Sequence, residues 1–312
     1  MRLRAASRFP MSSRNAYVLL LLTTLFWGGN AIAGKLAVGH ISPMLLTTLR
    51  WGLAAAIMLA IGLPRFRRDW PVVRRNLALL FALGTAGFML FNAAMYSALL
   101  FTSAINVSIE QAGMPMLIFA FNFLLYRMGV SMGQIVGFSL SLLGVALTAA
   151  HGDLTRLAEL DVNAGDALML AASLVYAGYT VALRYRPAIH WQSLMLAMCA
   201  AAFVSSLPFA AWELAAGKAV MPDARGWAVT AYTAIFPSIL SQAFYIRGVE
   251  LIGANRAGLF INLVPIFGTL LSILLLGEAF HPYHAVAMAM VLGGIWLAEH
   301  SGRKRASRGS LS

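Results

Sequence analysis

The stretch Ser108-Ile109-Glu110-Gln111-Ala112-Gly113-Met114-Pro115 lies inside an apolar run, from about Asn106 to Tyr126, that is long enough to cross a bilayer. A carboxylate and an amide are costly in hydrocarbon and usually face the interior of a helix bundle or a wet cavity. A proline inside a helix frees backbone carbonyl groups. The stretch therefore predicts a polar interior in a membrane protein.

The same stretch has a counterpart 150 residues later, where Pro265 corresponds to Pro115. At that offset a long window aligns without gaps, and Ala104, Val136 and Gly144 meet Ala254, Val286 and Gly294. Helices interrupted at matching positions of two halves are typical of transporter binding sites. We therefore interpret Pro115 and Pro265 as helix-breaking residues in a transporter built from two repeats.

The composition excludes an ordinary soluble domain. Hydrophobic residues make up 60% of the 312 residues and charged residues 11%, whereas soluble chains carry about 25% charged residues. The net charge of +12 is spread over short basic clusters between apolar runs, which is typical of membrane topology rather than of nucleic-acid binding. The single cysteine, Cys199, excludes an intrachain disulfide and a cysteine-based metal site.

Ten apolar segments of about the length needed to span a membrane are predicted along the chain. We expect the first to be a retained helix rather than a cleaved signal peptide. The segments are Tyr17–Ala33, Pro43–Leu63, Leu77–Leu99, Asn106–Tyr126, Gln134–Ala150, Gly165–Leu183, Gln192–Ala211, Trp227–Ile246, Gly258–Leu276 and Tyr283–His300.

The distribution of Lys and Arg between loops supports this count. With the N-terminus in the cytoplasm, 18 of the 23 basic residues fall on the cytoplasmic side and 4 on the outer side, and Arg50 lies within a segment. This asymmetry predicts that both termini are cytoplasmic. The four outer basic residues are Lys35, Arg156, Lys218 and Arg225.

The predicted fold class is an all-α polytopic membrane protein of ten transmembrane helices in two inverted five-helix repeats. An odd number of helices per repeat makes the second repeat enter the membrane from the opposite side, as alternating access requires. We divide the chain into a basic N-terminus (1–16), a first repeat (17–150), an outer linker (151–164), a second repeat (165–300) and a basic tail (301–312).

Short motifs in both halves are similar to those of a known family. They are Phe26-Trp27-Gly28-Gly29-Asn30, Leu49-Arg50-Trp51, Leu263-Val264-Pro265 and Leu275-Leu276-Gly277-Glu278. With them the chain resembles an EamA-type member of the drug/metabolite transporter superfamily over nearly its whole length. The resemblance implies ten helices, a central cavity and the movement of small metabolites, often amino acids and often outward. The first repeat has Arg127-Met128 where the second has Gly277-Glu278, so we expect Glu278 to be an interfacial or capping group.

Glu110 and Arg50 are the two charged candidates for a site. At about 1.5 Å rise per residue they lie roughly 8 Å and 10 Å below the outer surface, and this similar depth allows an ion pair. In the functional interpretation Glu110 takes up a proton or a substrate ammonium, and Arg50 holds a substrate carboxylate. In the structural interpretation the two form a permanent pair.

Amides and aromatic rings complete the predicted cavity. Amides also join helices, for about 0.6 kcal/mol each, and this role is favoured for Asn30 and Asn122. The predicted cavity residues besides Glu110 and Arg50 are Gln111, Asn92, Gln242, Asn262, Trp27, Tyr96, Tyr176 and Tyr179. Glu250 is expected to pair locally with Arg247.

These features favour a secondary transporter of the inner (cell) membrane that moves amino acids or related compounds outward, without a cofactor or metal. Phosphorylated or nucleotide-type solutes are the alternative, although they require several cations in the cavity. Proton coupling is a hypothesis that depends on Glu110, and the oligomeric state stays open. An intramembrane enzyme is disfavoured, because all six histidines lie at loops or helix ends and no segment has a central Asp.

Overall fold

A computed structural model of the chain describes residues 13–127, 131–153, 163–252, 257 and 260–309. These residues form helices and connecting turns, with no strand among them, which confirms the all-α class. Besides short helical turns, they form ten helices. These are α1 (Ser13–Ala37), α2 (Pro43–Arg75), α3 (Leu77–Ala98), α4 (Ala104–Tyr126), α5 (Met132–Ala149), α6 (Ala164–Ala182), α7 (Trp191–Ala215), α8 (Ala224–Ile252), α9 (Val264–Leu276) and α10 (Pro282–Gly309).

Seven helices in the described part of the chain are long and apolar enough to cross a membrane, and three more contain shorter apolar stretches. The shorter stretches are Met132–Thr148 in α5, Val264–Leu276 in α9 and Pro282–Ala298 in α10. The chain is therefore a multi-pass membrane protein, and crossing by all ten helices stays a prediction. The N-terminal arginines before Ser13, the linker residues Arg156, Glu159 and Asp161, and Arg256 lie outside the described residues.

Helix α4 is interrupted just before a proline, and helix α9 begins just before the corresponding proline. Helix α4 consists of Ala104–Ala112 and Met114–Tyr126, which meet at Gly113. Pro115 lies in the first turn of the second piece, and Pro265 lies in the first turn of α9. A proline fits there because the N–H that it lacks would have no partner within the helix.

Helices α3 and α8 each contain a π-helical segment near the middle of the bundle. The segments are Thr85–Leu90 in α3 and Ala234–Leu240 in α8, at matching positions of the two halves. The second contains Pro237, which removes one backbone donor. The sequence interpretation did not predict these segments, which occur frequently at functional sites.

Helices α2 and α7 run antiparallel, and each provides a carboxylate to the start of the other. Glu213, near the end of α7, accepts hydrogen bonds from Ser42 Oγ at 2.5 Å and from the backbone N–H of Leu45 at 3.1 Å. Asp69, near the end of α2, accepts a hydrogen bond from the backbone N–H of His190 at 2.9 Å. These bonds satisfy N–H groups that a helix start leaves unpaired.

Helices α5 and α10 also pack antiparallel, along small residues. Ser141 Oγ donates to the Val291 carbonyl at 3.1 Å, and Gly137 lies against Gly294. Close approach at small residues is how helices associate in lipid.

The two ends of the bundle differ. At the end that we call the His40 end, His40 Nδ1 lies 2.6 Å from Asp223 Oδ2. Here the Glu278 carboxylate also caps α4, accepting hydrogen bonds from the backbone N–H groups of Ala104 and Ile105 at 2.9 and 3.0 Å. The capping role expected for Glu278 is confirmed. At the opposite end, the Tyr126 end, the hydroxyls of Tyr126 and Tyr185 are 3.0 Å apart.

Candidate functional site

A cavity of about 490 Å³ lies between the helices, within the range of small-molecule sites. Three of the helices that begin at the His40 end, α4, α6 and α10, line it with residues well past their starts, such as Ile118 and Ile295. Towards the His40 end, Ile32, Leu46 and Leu99 pack as a buried core instead. The cavity therefore extends from the middle of the bundle towards the Tyr126 end.

Most of the predicted site residues line this cavity. The structure brings together Arg50, Asn92, Gln111, Gln242, Asn262, Trp27, Tyr176 and Tyr179 at its wall, together with Pro115 and Pro265. Glu110 and Tyr96 are not among the lining residues. Tyr96 is buried behind Arg50, whose Nη1 donates to the tyrosine hydroxyl in a short hydrogen bond.

Arg50 is held by neutral groups from three other helices. Its Nε donates to Ser238 Oγ at 2.9 Å, and its Nη1 donates to Asn92 Oδ1 at 2.6 Å and Asn30 Oδ1 at 3.0 Å. Its guanidinium carbon lies 4.7 Å from the centroid of the Trp51 ring. Ser238 belongs to the π-helical segment of α8 and was not predicted as a site residue. The neighbouring Pro237 is the sequence feature that could have located this segment.

The ion pair considered between Arg50 and Glu110 does not form. Among the described residues, the ion pairs join His40 to Asp223, His151 to Asp166 and Arg247 to Glu250. Arg50 is only 3% exposed, and Nη2 makes no hydrogen bond to a described residue. Equal depth was not sufficient for pairing, because depth does not determine which way a side chain faces around the helix axis. The local pair of Glu250 with Arg247 is confirmed at 2.7 Å.

Aromatic rings form much of the remaining wall. The ring centroids of Tyr176 and Tyr179 are 5.3 Å apart, and Phe91 lies 4.8 Å from Tyr176. Trp27 Nε1 donates to the Pro237 carbonyl at 3.1 Å, which satisfies a polar group at the π-helical segment. The wall thus combines one cation with amides and aromatic faces.

The two asparagines assigned to helix bonding behave differently. Asn30 Oδ1 accepts from Arg50 and from the Tyr96 hydroxyl at 3.0 Å each, and so joins α1 to α2 and α3. Asn122 Nδ2 donates to the Ile118 carbonyl of its own helix at 2.9 Å. Asn30 therefore joins helices as predicted and also lines the cavity, whereas the bond of Asn122 stays within α4.

Comparison with known proteins gives the family. The model of the EamA-like transporter family matches the chain twice, at residues 14–150 and 163–299. The chain belongs to this EamA-like transporter family. The family and the apolar helices together make it a multi-pass membrane protein of a transporter family, with a small molecule as the expected ligand of its cavity.

Two relatives match this EamA-like protein over nearly their whole length. "Uncharacterized transporter YyaM" of Bacillus subtilis (strain 168) is 25% identical over 92% of this chain and 94% of its own. "Uncharacterized inner membrane transporter YicL" of Salmonella typhimurium (strain LT2) is 21% identical over 95% of this chain and 98% of its own. A crystal structure with 22% identity covers 92% of this chain with a TM-score of 0.61, which supports the fold alone.

Proposed function

We propose that this EamA-like protein is a secondary active transporter of the inner (cell) membrane that moves small carboxylate-bearing metabolites by alternating access. Amino acids and related compounds are the favoured class, and efflux is the favoured direction. Both termini are cytoplasmic in this proposal, and all ten helices cross the membrane as two inverted repeats, with the two family matches supporting the division into 17–150 and 165–300.

The observation that carries this proposal is the position of the Arg50 guanidinium and its lack of a described carboxylate partner. The guanidinium lies at the cavity wall, held in place by neutral acceptors, and no described carboxylate pairs with it. A charged group at membrane depth usually has a partner or a functional role. Because Nε and Nη1 already bond protein groups, Nη2 is the guanidinium nitrogen left to donate to a substrate carboxylate.

Two features support alternating access. The corresponding helices α5 and α10 run antiparallel, as do α2 and α7, which an inverted repeat requires. The cavity is displaced towards the Tyr126 end, while the His40 end is packed. With cytoplasmic termini, the Tyr126 end faces the cytoplasm, where an exported metabolite is loaded.

The charges of the cavity favour carboxylates over phosphorylated solutes. Arg50 is the one basic residue among the described residues of the lining, and neither Lys35 nor Arg184 joins it there. Because Glu110 does not line the cavity, a substrate ammonium would rest on amide oxygens or aromatic faces instead. This revises the zwitterion hypothesis, in which Glu110 bound the ammonium.

The test is counterflow in proteoliposomes preloaded with amino acids, other carboxylates, or phosphorylated metabolites. We expect saturable counterflow of carboxylate-bearing solutes, recovered chemically unchanged, and its loss in Arg50→Gln. Arg67→Gln is the matched control, since Arg67 is an exposed arginine of the same helix. Counterflow of phosphorylated solutes alone, or of none, would overturn the proposal, and a chemically altered solute would favour the enzyme alternative.

A further inference from the structure

We propose that Glu110 is a proton-binding group in a coupling site separate from the substrate cavity, and that protons reach it from the His40 end past His151 and Asp166. This inference rests on the proposed transport function and assigns its coupling ion. The site lies behind the cavity wall, on the half-helix of α4 that precedes the break at Gly113.

Glu110 is the first part of this site. It is 1% exposed, and neither of its carboxylate oxygens has a hydrogen-bond partner among the described residues. A buried ionised carboxylate without donors is strongly disfavoured, whereas a protonated carboxyl loses far less on burial. Such a group at membrane depth is costly unless it binds something, and a proton is the smallest ligand that removes the cost.

Asp166 is the second part, and one of its oxygens has the hydrogen-bond partners that Glu110 lacks. It is also fully buried, and its Oδ1 accepts a short hydrogen bond from Thr102 Oγ1 and lies 3.4 Å from Asn106 Nδ2, whereas Oδ2 makes no hydrogen bond to a described residue. It stands in the first turn of α6, where the helix start stabilises negative charge. Asn106 is one turn before Glu110 on α4, so the partly hydrogen-bonded carboxylate of Asp166 lies near the unbonded carboxylate of Glu110.

The histidines of this cluster connect it to the His40 end. His151 Nε2 lies 3.1 Å from Asp166 Oδ2, and the His151 side chain is 34% exposed. His284 is buried, and its Nδ1 accepts from the backbone N–H of His281 at 3.0 Å. Its Nε2 therefore carries the proton and donates to Asn106 Oδ1 at 3.2 Å. This orients the Asn106 amide so that its N–H groups point towards Asp166 and Thr102.

The other charged or titratable groups near this half-helix come from three elements. Lys35 of α1 donates to the carbonyls of Leu99 and Thr102 at 2.9 and 2.7 Å. Glu278, after α9, is occupied by the N–H groups that it caps. Tyr283 of α10 packs against the His284 ring, with centroids 4.1 Å apart. None of these groups donates a hydrogen bond to Glu110.

The position of Glu110 links proton binding to substrate binding. The next two residues, Gln111 and Ala112, line the cavity, and the helix breaks at Gly113. Loss of the proton leaves an unpaired charge in a packed interior and disfavours the described conformation. Opening of the His40 end would hydrate that charge. The half-helix Ala104–Ala112 therefore responds both to the proton on Glu110 and to a substrate in the cavity. The step balances in charge: the carboxylate takes one proton from a hydronium ion at the His40 end, which leaves water, and becomes the neutral acid.

The first test needs no substrate. Infrared difference spectra of the purified full-length protein between neutral and alkaline pH, a range in which exposed carboxylates stay ionised, should show the band of a protonated carboxyl. We expect Glu110→Gln to remove this band and Asp166→Asn to shift it. Glu250→Gln, which changes an exposed carboxylate, should leave it unchanged. A band that persists in Glu110→Gln would overturn the proposal.

The second test separates coupling from transport. In proteoliposomes an imposed proton gradient should stimulate wild-type transport several-fold, and Glu110→Gln should lose this stimulation but retain counterflow. Stimulation that survives in Glu110→Gln, or loss of counterflow together with stimulation in folded protein, would overturn the coupling role. If Glu110→Gln does not fold, Asp166→Asn decides in the same assay, and unchanged stimulation overturns the proposal. Failure of wild-type counterflow with every solute would remove the transport function and leave the infrared result standing.

Discussion

Glu278 Oε1 accepts a hydrogen bond from the backbone N–H of Ala104 at 2.9 Å, so the end of α9 is tied to the start of α4 in the other half of the molecule. Glu278 Oε2 accepts a second bond from the N–H of Ile105. The corresponding position at the end of α4 is Arg127-Met128, which offers no carboxylate. The two ends of the bundle therefore differ in how the halves are joined.

Replacing Glu278 should weaken the His40 end. Glu278→Ala leaves two buried N–H groups at a helix start unpaired, and the loss of such a cap costs about 0.5–2 kcal/mol. Thermal unfolding in detergent should show a lower midpoint than for wild type, while Glu250→Ala, at an exposed pair, should change little. Equal midpoints for the two variants would contradict a capping role.

The contact between α5 and α10 should tolerate no side chain at Gly294. A Cβ there would clash with the Gly137 carbonyl and lie 2.9 Å from the backbone nitrogen of Ser141, neither of which can rotate away. Overpacking of this kind costs about 1–3 kcal/mol, so Gly294→Ala should lower the unfolding midpoint. A Cβ at the adjacent Gly293 would meet no atom of the described residues within 4 Å, and Gly293→Ala should therefore behave like wild type.

Arg50→Lys should fail to replace arginine. Lysine keeps the charge but lacks the planar fork that bonds Ser238, Asn92 and Asn30 together. Hydrogen bonds to charged groups contribute about 1.5–3 kcal/mol, so the apparent affinity for a carboxylate substrate should fall by about 10- to 100-fold. Counterflow measured over a range of substrate concentrations gives this change, and an unaltered half-saturation concentration would argue against substrate contact.

Acid should weaken the junction between α1 and α8. The hydrogen bond with His40, together with the N–H of Gly226, lowers the pKa of the exposed Asp223 carboxyl, which caps α8. A depressed pKa means that the stabilisation is complete above the unfolded-state pKa and is lost as the pH falls through the folded-state pKa. For an aspartate this loss begins below about pH 4.

The measurement is the unfolding midpoint of wild type and Asp223→Asn across an acidic pH series. Asparagine still caps the helix, so the variant isolates the charge. The difference between the two proteins should be small, because the pair is exposed, and it should disappear at the acidic end. A difference that stays constant over the series would exclude Asp223 as its source.

Hydropathy located the helices well, because a bilayer imposes a minimum length on each apolar segment. It also located polar residues that the structure places at the cavity wall, such as Asn92 and Gln242, which correspond at the repeat offset. It did not give the direction in which Glu110 faces. Sequence position sets depth along a helix, but rotation about the helix axis depends on packing against neighbours.

Other features depend on residues far apart in the chain. Glu213 and Ser42 are 171 positions apart, and Asp69 and His190 are 121 apart. An acidic residue near a helix end carries no sequence signal that names the distant helix start it caps. Asp166 was missed for a similar reason, because its partners Thr102 and His151 come from other elements.

The π-helical segments Thr85–Leu90 and Ala234–Leu240 change the angular phase of the helices that contain them. Each extra residue in a turn rotates everything beyond it by roughly 100° relative to a regular helix of 3.6 residues per turn. Residues on opposite sides of such a segment that share a face by sequence spacing therefore point in different directions. A one-residue deletion at Gly87 or Ser238 would restore the regular phase and rotate the part of the helix beyond it by roughly 100°. Some side chains that face lipid would then face the cavity, and some that line the cavity would face lipid.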